Sequence, residues 1–175
     1  MTELLVLCTG NAARSVMAGF MLDHLNLCRP TADLHVVTAG THSVDGQPMS
    51  TRTRAALRSI PELTDAALGG HRSRQVYEGD LDRAELVVVM EADHVRFIRR
   101  QFPRAAGRTA TIRHLCRDLR PGPAPLGERV AALHLAGAHL LGEDDVMDPA
   151  GGDEAAYVAC AAELWLLCQR LIESL

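Results

Sequence analysis

The stretch LLVLCTGNAARSVMAG, residues 4–19, decides the fold, because in it a short apolar run ends at a cysteine and a helical pattern follows. Residues 4–7 are all Leu or Val, as expected of a buried strand in a parallel sheet. From Ser15 to Leu27, apolar side chains recur at roughly helical spacing. Open α/β sheets bind ligands beyond the carboxyl ends of their strands, so this strand–loop–helix unit predicts a binding site at Cys8.

The rest of the chain alternates strand and helix patterns. Strands are predicted at residues 34–38, 86–90 and, more weakly, 109–115, and helices at residues 50–59, 93–102, 128–141 and 154–172. This alternation predicts an α/β fold, a doubly wound parallel sheet of about four strands flanked by helices. A length of 175 residues suffices for one domain with its own core, so we expect residues 1–175 to form a single domain.

The composition excludes several classes of partner. The net charge of −4 gives no bulk basicity for nucleic acid or an anionic membrane, and no apolar run or leader pattern predicts a membrane segment. The five cysteines are an odd number at irregular spacings, without a zinc-type cluster, which favours free thiols and no metal or cofactor. We therefore expect a cytoplasmic protein that is a monomer or a weak dimer.

The loop after the first strand contains the residues of an oxyanion cradle. Gly10 and Asn11 tolerate a left-handed backbone, and such a loop can turn successive N–H groups inward to form an anion-binding nest. The start of the following helix adds a positive field, which favours the thiolate form of Cys8. Arg14 offers a planar fork for two oxygens of a tetrahedral anion, and Ser15 can donate a hydrogen bond to the sulfur. Phosphate or arsenate would fit this loop.

Five segments resemble, in order, those of the low-molecular-weight protein-tyrosine phosphatases and the related arsenate reductases. They are VLCTGNAARSVMAG (6–19), TAGTHSVDGQPMS (38–50), HRSRQV (71–76), AELVVVMEADHVRFI (84–98) and DVMDPAGG (145–152). The similarity covers nearly the whole chain except about residues 117–143. We interpret that region as an insertion that holds the extra helix predicted at residues 128–141.

The resemblance implies a catalytic role at four positions. Cys8 would be the nucleophile, Arg14 would bind the phosphoryl oxygens, and Ser15 would stabilise the thiolate. Asp148 would protonate the leaving oxygen and then activate water, since Pro149 fixes the backbone of a loop that can hold a carboxyl group over the pocket. The phosphate-binding positions would be Thr9, Gly10, Asn11, Ala12, Ala13 and Arg14. The polar network that supports the loop would comprise Asn11, Thr38 and His71.

The sequence departs from the family pattern in two places. Ala13 stands where the family usually has a second cysteine, so oxidised Cys8 has no adjacent thiol to trap it as a disulfide. The aromatic rim is also replaced, because Ala150 and Gly151 follow the Asp-Pro pair. A bound phenol ring loses its stacking partners there, unless His42 or Tyr157 takes their place.

Three functions follow, in order of preference. The first is a cysteine-dependent phosphatase that hydrolyses phosphomonoesters through a cysteinyl-phosphate intermediate, with phosphotyrosine protein as the default substrate. The second is an arsenate reductase that uses an external low-molecular-weight thiol, since Cys160 and Cys168 are eight residues apart on a helix and too distant to form a redox pair. The third is an oxyanion- or phosphoprotein-binding module with little turnover.

Overall fold

A computed structural model describes residues 2–29 and 34–175. The strands in these residues are β1 (Thr2–Cys8), β2 (Leu34–Gly40), β3 (Leu86–Val89) and β4 (Thr109–Thr111). The helices are α1 (Arg14–Leu27), α2 (Thr51–Arg58), α3 (Glu78–Arg83), α4 (Ala92–Gln101), α5 (Ile112–Asp118), α6 (Leu126–Ala131) and α7 (Glu154–Glu173). Four short 3₁₀ helices span Pro61–Leu63, Pro103–Arg108, Leu135–Gly137 and Gly142–Asp144.

The four strands form one parallel sheet in the order β2-β1-β3-β4, which confirms the predicted fold class. The chain leaves β1 for β2 on one side and then returns to β3 on the other side. The strand order therefore reverses at β1, and open α/β sheets bind ligands beyond the carboxyl ends of the strands at such a switch point, here those of β1 and β3. Cys8 is the last residue of β1 and pairs in register with Gly40.

Two apolar layers cover the sheet, because successive strand residues point to opposite faces. Leu4, Val6 and Cys8 of β1 face the larger layer, to which α1, α2, α5, α6 and α7 contribute. Leu5 and Leu7 face the smaller layer, which contains residues of α3 and α4. The core is mainly aliphatic, as expected for a chain with only 3% aromatic residues, and Tyr157 and Trp165 are its buried aromatic residues.

Helix α7 is the longest helix of the described chain, and its composition follows from its position in the core. Its most apolar 18-residue window has a mean hydropathy of 1.3, which by length and composition alone would also fit a membrane-spanning helix. One side of it packs against α1, α2 and α5. The buried side chains on that side are Tyr157, Cys160, Ala161, Leu164, Trp165, Leu167, Cys168, Leu171 and Ile172.

The predicted helix at residues 128–141 is wrong in extent. Helix α6 begins earlier, at Leu126, and ends at Ala131. His134 adopts a left-handed backbone with φ of 50°, which an α-helix cannot accommodate, and only a 3₁₀ turn follows at Leu135–Gly137. Leu135 is 1% exposed, so burial of this side chain outweighs the helical propensity of the Ala/Leu run.

The predicted strand at residues 109–115 is correct only for its first three residues. The side chain of Thr111 accepts a hydrogen bond from the backbone N–H of His114 at 3.3 Å, and α5 begins at Ile112. Thr111 thus caps α5. The sequence predicts a strand here because β-branched residues lie around Thr111. Helix α3, six residues long, was not predicted because it is too short for an apolar periodicity.

Candidate active site

The loop between β1 and α1 holds Cys8 and Ser15 in direct contact. The Sγ atom of Cys8 lies 3.0 Å from the Oγ atom of Ser15, and both residues are buried. The side-chain amide of Asn11 donates to the same Oγ at 3.0 Å. Because Ser15 already accepts from Asn11, its own hydroxyl proton is free to point at the sulfur. The pair therefore has the geometry that stabilises a thiolate.

Asn11 and His71, two residues of the predicted loop-supporting network, contact the loop and the segment after it. Asn11 is fully buried with φ of 50°, and its Oδ1 accepts the backbone N–H of Arg74 at 3.1 Å. Its carbonyl oxygen accepts from Nε2 of His71 at 3.0 Å, so that nitrogen carries the proton. Burial lowers the pKa of His71, and the hydrogen bond to Asn11 opposes this shift. A neutral imidazole thus supports a strained turn.

Thr38 does not join this network in the described hydrogen bonds. Its methyl group instead packs against α1 at Gly19, where an added Cβ would lie 2.5 Å from Thr38 Cγ2. The hydroxyl of Thr53 donates to the carbonyl of Ala12 at 2.9 Å, and that of Ser43 donates to the carbonyl of Gly10 at 3.0 Å. These two supports come from α2 and from the connection after β2, and the sequence reading missed both.

Gly40 allows β2 to approach the loop closely. A Cβ atom at position 40 would lie 2.6 Å from the carbonyl oxygen of Thr9 and 3.0 Å from the backbone nitrogen of Asn11. Both contacts are with backbone atoms, which cannot move aside without deforming the loop. The backbone N–H groups of Thr41 and His42 also donate to the carbonyls of Cys8 and Thr9, each at 2.9 Å. The end of β2 therefore fixes the backbone of the loop through these contacts.

Arg14 connects the loop to Asp148. Arg14 is 1% exposed, and its guanidinium group donates from Nη2 to Oδ2 of Asp148 at 2.6 Å. Its Nη1 donates to the carbonyl of Val146 at 3.0 Å and pairs with the carboxylate of Glu91. The structure thus brings two of the predicted residues, Arg14 and Asp148, together. Glu91 was not predicted as a site residue, although an acid directly after a buried strand at this sheet edge was a usable signal.

His94 is a second unpredicted residue of the site. Its Nε2 lies 2.9 Å from Oγ1 of Thr9, and the ring is 3% exposed. Burial and, next, the positive charge of Arg14 lower the pKa of His94 to about 4. Nδ1 has no hydrogen-bond partner among the described residues, and a buried lone pair costs less than a buried orphan N–H. We therefore assign the proton to Nε2, which donates to Thr9 Oγ1. The hydroxyl proton of Thr9 is then free to be donated to another acceptor.

The mouth of the loop carries small and polar side chains. Thr9, Ala12, Asp148 and Ala150 are exposed. Of the two candidate replacements for an aromatic rim, Tyr157 is only 9% exposed and lies beneath the guanidinium of Arg52. His42 is exposed, and its ring packs edge-on against Phe97 at 5.1 Å between centroids. The structure therefore leaves His42 as the available ring near Thr9.

All five cysteines have free thiols in the structure. Cys160 and Cys168 are buried on α7, and burial raises the pKa of Cys160 to about 12 and raises that of Cys168 as well. Thiols with such pKa values are almost entirely protonated at neutral pH and are poor nucleophiles. Neither residue is suited to attack an oxidised or arsenylated Cys8.

Comparison with known proteins identifies the family. Residues 3–123 match the family model described as low molecular weight phosphotyrosine protein phosphatase. A protein-arginine-phosphatase of Geobacillus stearothermophilus is 29% identical over 99% of this chain and 95% of its own length. The solved YwlE arginine phosphatase of that organism is 28% identical, with a TM-score of 0.74 over 99% of this chain and 92% of its own. A low molecular weight protein tyrosine phosphatase from T. tengcongensis is 27% identical, with a TM-score of 0.76 over all of both chains.

Proposed function

The chain belongs to the low molecular weight phosphotyrosine protein phosphatase family and is a cysteine-dependent phosphatase, and from this premise we propose that its substrate is phosphoarginine in proteins. The observation that carries the proposal is the carboxylate of Glu91, which pairs with Arg14 at the mouth of the loop beside Asp148, the proposed general acid. The small residues Ala150 and Gly151 stand where a phenol ring would need an aromatic partner. The similarity to the arginine phosphatase of Geobacillus stearothermophilus, which extends over nearly the whole of this chain, supports the same substrate.

The charges at the mouth favour a cationic leaving group. A phosphoryl group that binds Arg14 competes with Glu91 and Asp148 for the same guanidinium group. Loss of this partner is costly for the carboxylate of Glu91, the less exposed of the two, unless another cation replaces it. The guanidinium group of phosphoarginine can supply that cation next to its phosphorus atom, whereas the phenol ring of phosphotyrosine is neutral.

The proposed reaction takes place in two steps. The thiolate of Cys8 attacks phosphorus, the P–N bond breaks, and Asp148 gives its proton to the departing guanidine nitrogen. Arg14 and the N–H groups of the loop bind the phosphoryl oxygens as charge shifts onto them. Asp148 then takes a proton from water as the water attacks phosphorus. The S–P bond breaks, phosphate leaves, and the hydrogen bond from Ser15 stabilises the returning thiolate.

Phosphotyrosine is the second candidate substrate. The family model carries that description, and the T. tengcongensis relative is a protein tyrosine phosphatase. The exposed ring of His42, supported by Phe97, is the feature of this chain that could stack on a phenol. This candidate predicts that loss of the His42 ring lowers activity on phosphotyrosine.

The decisive experiment compares two peptides that differ only in phosphoarginine or phosphotyrosine at one position. We expect kcat/KM to be at least tenfold higher for phosphoarginine, and activity on both to vanish in Cys8→Ser. Asp148→Asn should lower kcat by about 10²–10⁴, the usual contribution of a general acid. A preference for phosphotyrosine overturns the proposal, more so if His42→Ala abolishes that preference.

Glu91→Gln tests the charge argument directly. It removes the charge of Glu91 and keeps its shape, so kcat/KM for phosphoarginine should fall while that for phosphotyrosine is unchanged or rises. An equal loss on both peptides would contradict the argument.

Arsenite formation that depends on an added thiol, without ester or phosphoramidate hydrolysis, would favour the reductase. Binding of vanadate without any turnover would favour the binding module.

A further inference from the structure

A cavity of about 550 Å³ lies between α5, α7 and the 3₁₀ helix Gly142–Asp144. Its lining contains four arginines, in a chain whose net charge is −4. These are Arg113, Arg117, Arg120 and Arg170. Only two carboxylates, from Glu143 and Asp144, line the same cavity. The cavity is therefore a local positive patch on a protein that is acidic overall.

Two of these guanidinium groups are held in place, and two have no carboxylate partner. Arg113 pairs with Glu163 at 2.8 Å, and Arg117 contacts both oxygens of Asp144 at 2.6 and 3.2 Å. In the part of the chain that the structure describes, Arg120 and Arg170 make neither an ion pair nor a side-chain hydrogen bond, and both are exposed. Glu143 is the one lining carboxylate without such a pair among the described residues, so the two unpaired guanidinium groups outnumber it, and this excess of positive charge favours binding of an anion.

We propose that this cavity is a second oxyanion site, separate from the Cys8 loop, for compact oligophosphate anions. The parallel N–H donors of a guanidinium group match two oxygens of a phosphate group. Several guanidinium groups around one cavity therefore suit an anion with several charges. The volume lies in the range of small-ligand pockets. The only strictly apolar side chain in the lining is that of Leu167, and no aromatic ring is present there to stack on a nucleobase. The site therefore recognises the phosphate groups of such an anion and offers no contact for a nucleobase.

Occupancy of this site acts on the catalytic loop through Asp144. Asp144 is 4% exposed and has Arg117 as its ion-pair partner, so an anion that draws Arg117 away leaves a buried charge unpaired. The next residue, Asp145, accepts the backbone N–H of Ala92 at 2.6 Å, and Val146 accepts from Arg14. A shift of this segment moves Asp148 relative to Arg14. Oligophosphate binding should therefore lower kcat.

Binding is measured by calorimetry with sodium tripolyphosphate, while saturating orthovanadate fills the Cys8 loop. We expect one binding site in the wild-type protein and at least a tenfold weaker affinity in the double variant Arg120→Ala/Arg170→Ala. The matched control is Arg58→Ala/Arg100→Ala, which removes two exposed arginines elsewhere and should bind as the wild type does. Absence of binding in the presence of orthovanadate, or equal affinity in both double variants, overturns the site.

Kinetics with p-nitrophenyl phosphate test the link to catalysis. Tripolyphosphate should raise the apparent KM in every variant by competing at the Cys8 loop. It should lower kcat only where the second site is intact, that is, in the wild type and the Arg58/Arg100 control. If kcat falls equally in Arg120→Ala/Arg170→Ala, or falls in no variant, the proposed action on Asp148 is wrong.

Discussion

The residue before Arg14 determines what oxidation does to the nucleophile. Ala13 lies in the same buried cluster as Cys8 and offers no thiol. Hydrogen peroxide converts a thiolate to sulfenic acid, and further peroxide converts that to sulfinic acid, which thiols do not reduce. We expect part of the activity lost to excess peroxide to remain lost after dithiothreitol is added.

Ala13→Cys should reverse this outcome. The new thiol condenses with the sulfenic acid of Cys8 and releases water, and the resulting disulfide is reducible. Recovered phosphatase activity after dithiothreitol should therefore be higher in Ala13→Cys than in the size-matched control Ala13→Ser. Full recovery of the wild-type protein would contradict this prediction, because oxidised Cys8 would then stay reducible without an adjacent thiol.

His94 makes the stability of the protein depend on pH. Its pKa is about 4 in the folded protein and about 6.5 in an unfolded chain. The unfolded state therefore binds the proton first as pH falls, and the stability supplied by the neutral ring is lost between pH 6.5 and about pH 4. The expected loss over this window is on the order of 3 kcal/mol.

Urea unfolding at pH 7, 6 and 5 measures the part of this loss that falls above pH 5. His94→Asn keeps a polar group near Thr9 but does not titrate, so its free energy of unfolding should fall less steeply with pH. His71, whose pKa is lowered too, contributes in the same direction in both proteins. The difference between the two slopes of unfolding free energy against pH is the contribution of His94. Identical slopes would show that the lowered pKa of His94 does not affect stability.

Among the secondary-structure elements, β2 positions the catalytic loop by its contact at Gly40. Gly40→Ala forces a Cβ against the backbone of Thr9 and Asn11, so the loop must shift. Such overpacking typically costs 1–3 kcal/mol, and a misplacement near 1 Å can cost about 100-fold in rate. We expect a lower thermal midpoint and a kcat/KM for p-nitrophenyl phosphate reduced at least tenfold.

Gly107→Ala is the control for this prediction. Gly107 lies in the 3₁₀ helix Pro103–Arg108, and a Cβ atom there would meet nothing within 4 Å. It should therefore leave both the rate and the thermal midpoint nearly unchanged. If Gly40→Ala behaves as this control does, the close approach of β2 does not shape the loop.

The elements with strong local signals were predictable, and those set by tertiary contacts were not. Ser50 accepts from the backbone N–H of Thr53 at 3.1 Å and caps α2 where the sequence predicts it. The apolar pattern of α7 likewise gives its bounds to within a residue or two. By contrast, α6 ends early because His134 turns the chain and lets Leu135 reach the core. No periodicity in the sequence encodes that turn.

The residues of the active site divide in the same way, into those that local sequence predicts and those that tertiary contacts bring together. Cys8, Arg14, Ser15 and Asn11 lie within one strand–loop–helix unit, so their spacing predicts their grouping. Glu91, Thr53 and His94 reach the loop from α2 and from the start of α4, which are more than 35 residues away. Their contacts depend on which strands are neighbours, and a single sequence does not give that order directly.

At the scale of the whole molecule, Arg129 ties the segment before α6 to the end of α7. Its guanidinium group donates to the carbonyls of Ala124, Arg120, Ser174 and Leu175 at 2.6–3.1 Å. These contacts join the region that departs from the family pattern to the helix that packs against α1, α2 and α5. The departing region is thus part of the same folded unit as the core.

Arg129→Lys tests whether this tie stabilises the molecule. Lysine keeps the charge but cannot direct several fixed N–H groups at separate carbonyls, so we expect a loss of about 1–2 kcal/mol in the free energy of unfolding. Trp165, the single tryptophan, is buried on α7 and reports urea unfolding by fluorescence. Because the carbonyls bound by Arg129 belong to residues 120–124 and 174–175, outside the Cys8 loop, kcat/KM should stay at the wild-type value. The control Arg100→Lys should change neither quantity, and an unchanged urea midpoint in Arg129→Lys would show that the two segments are stable without their arginine link.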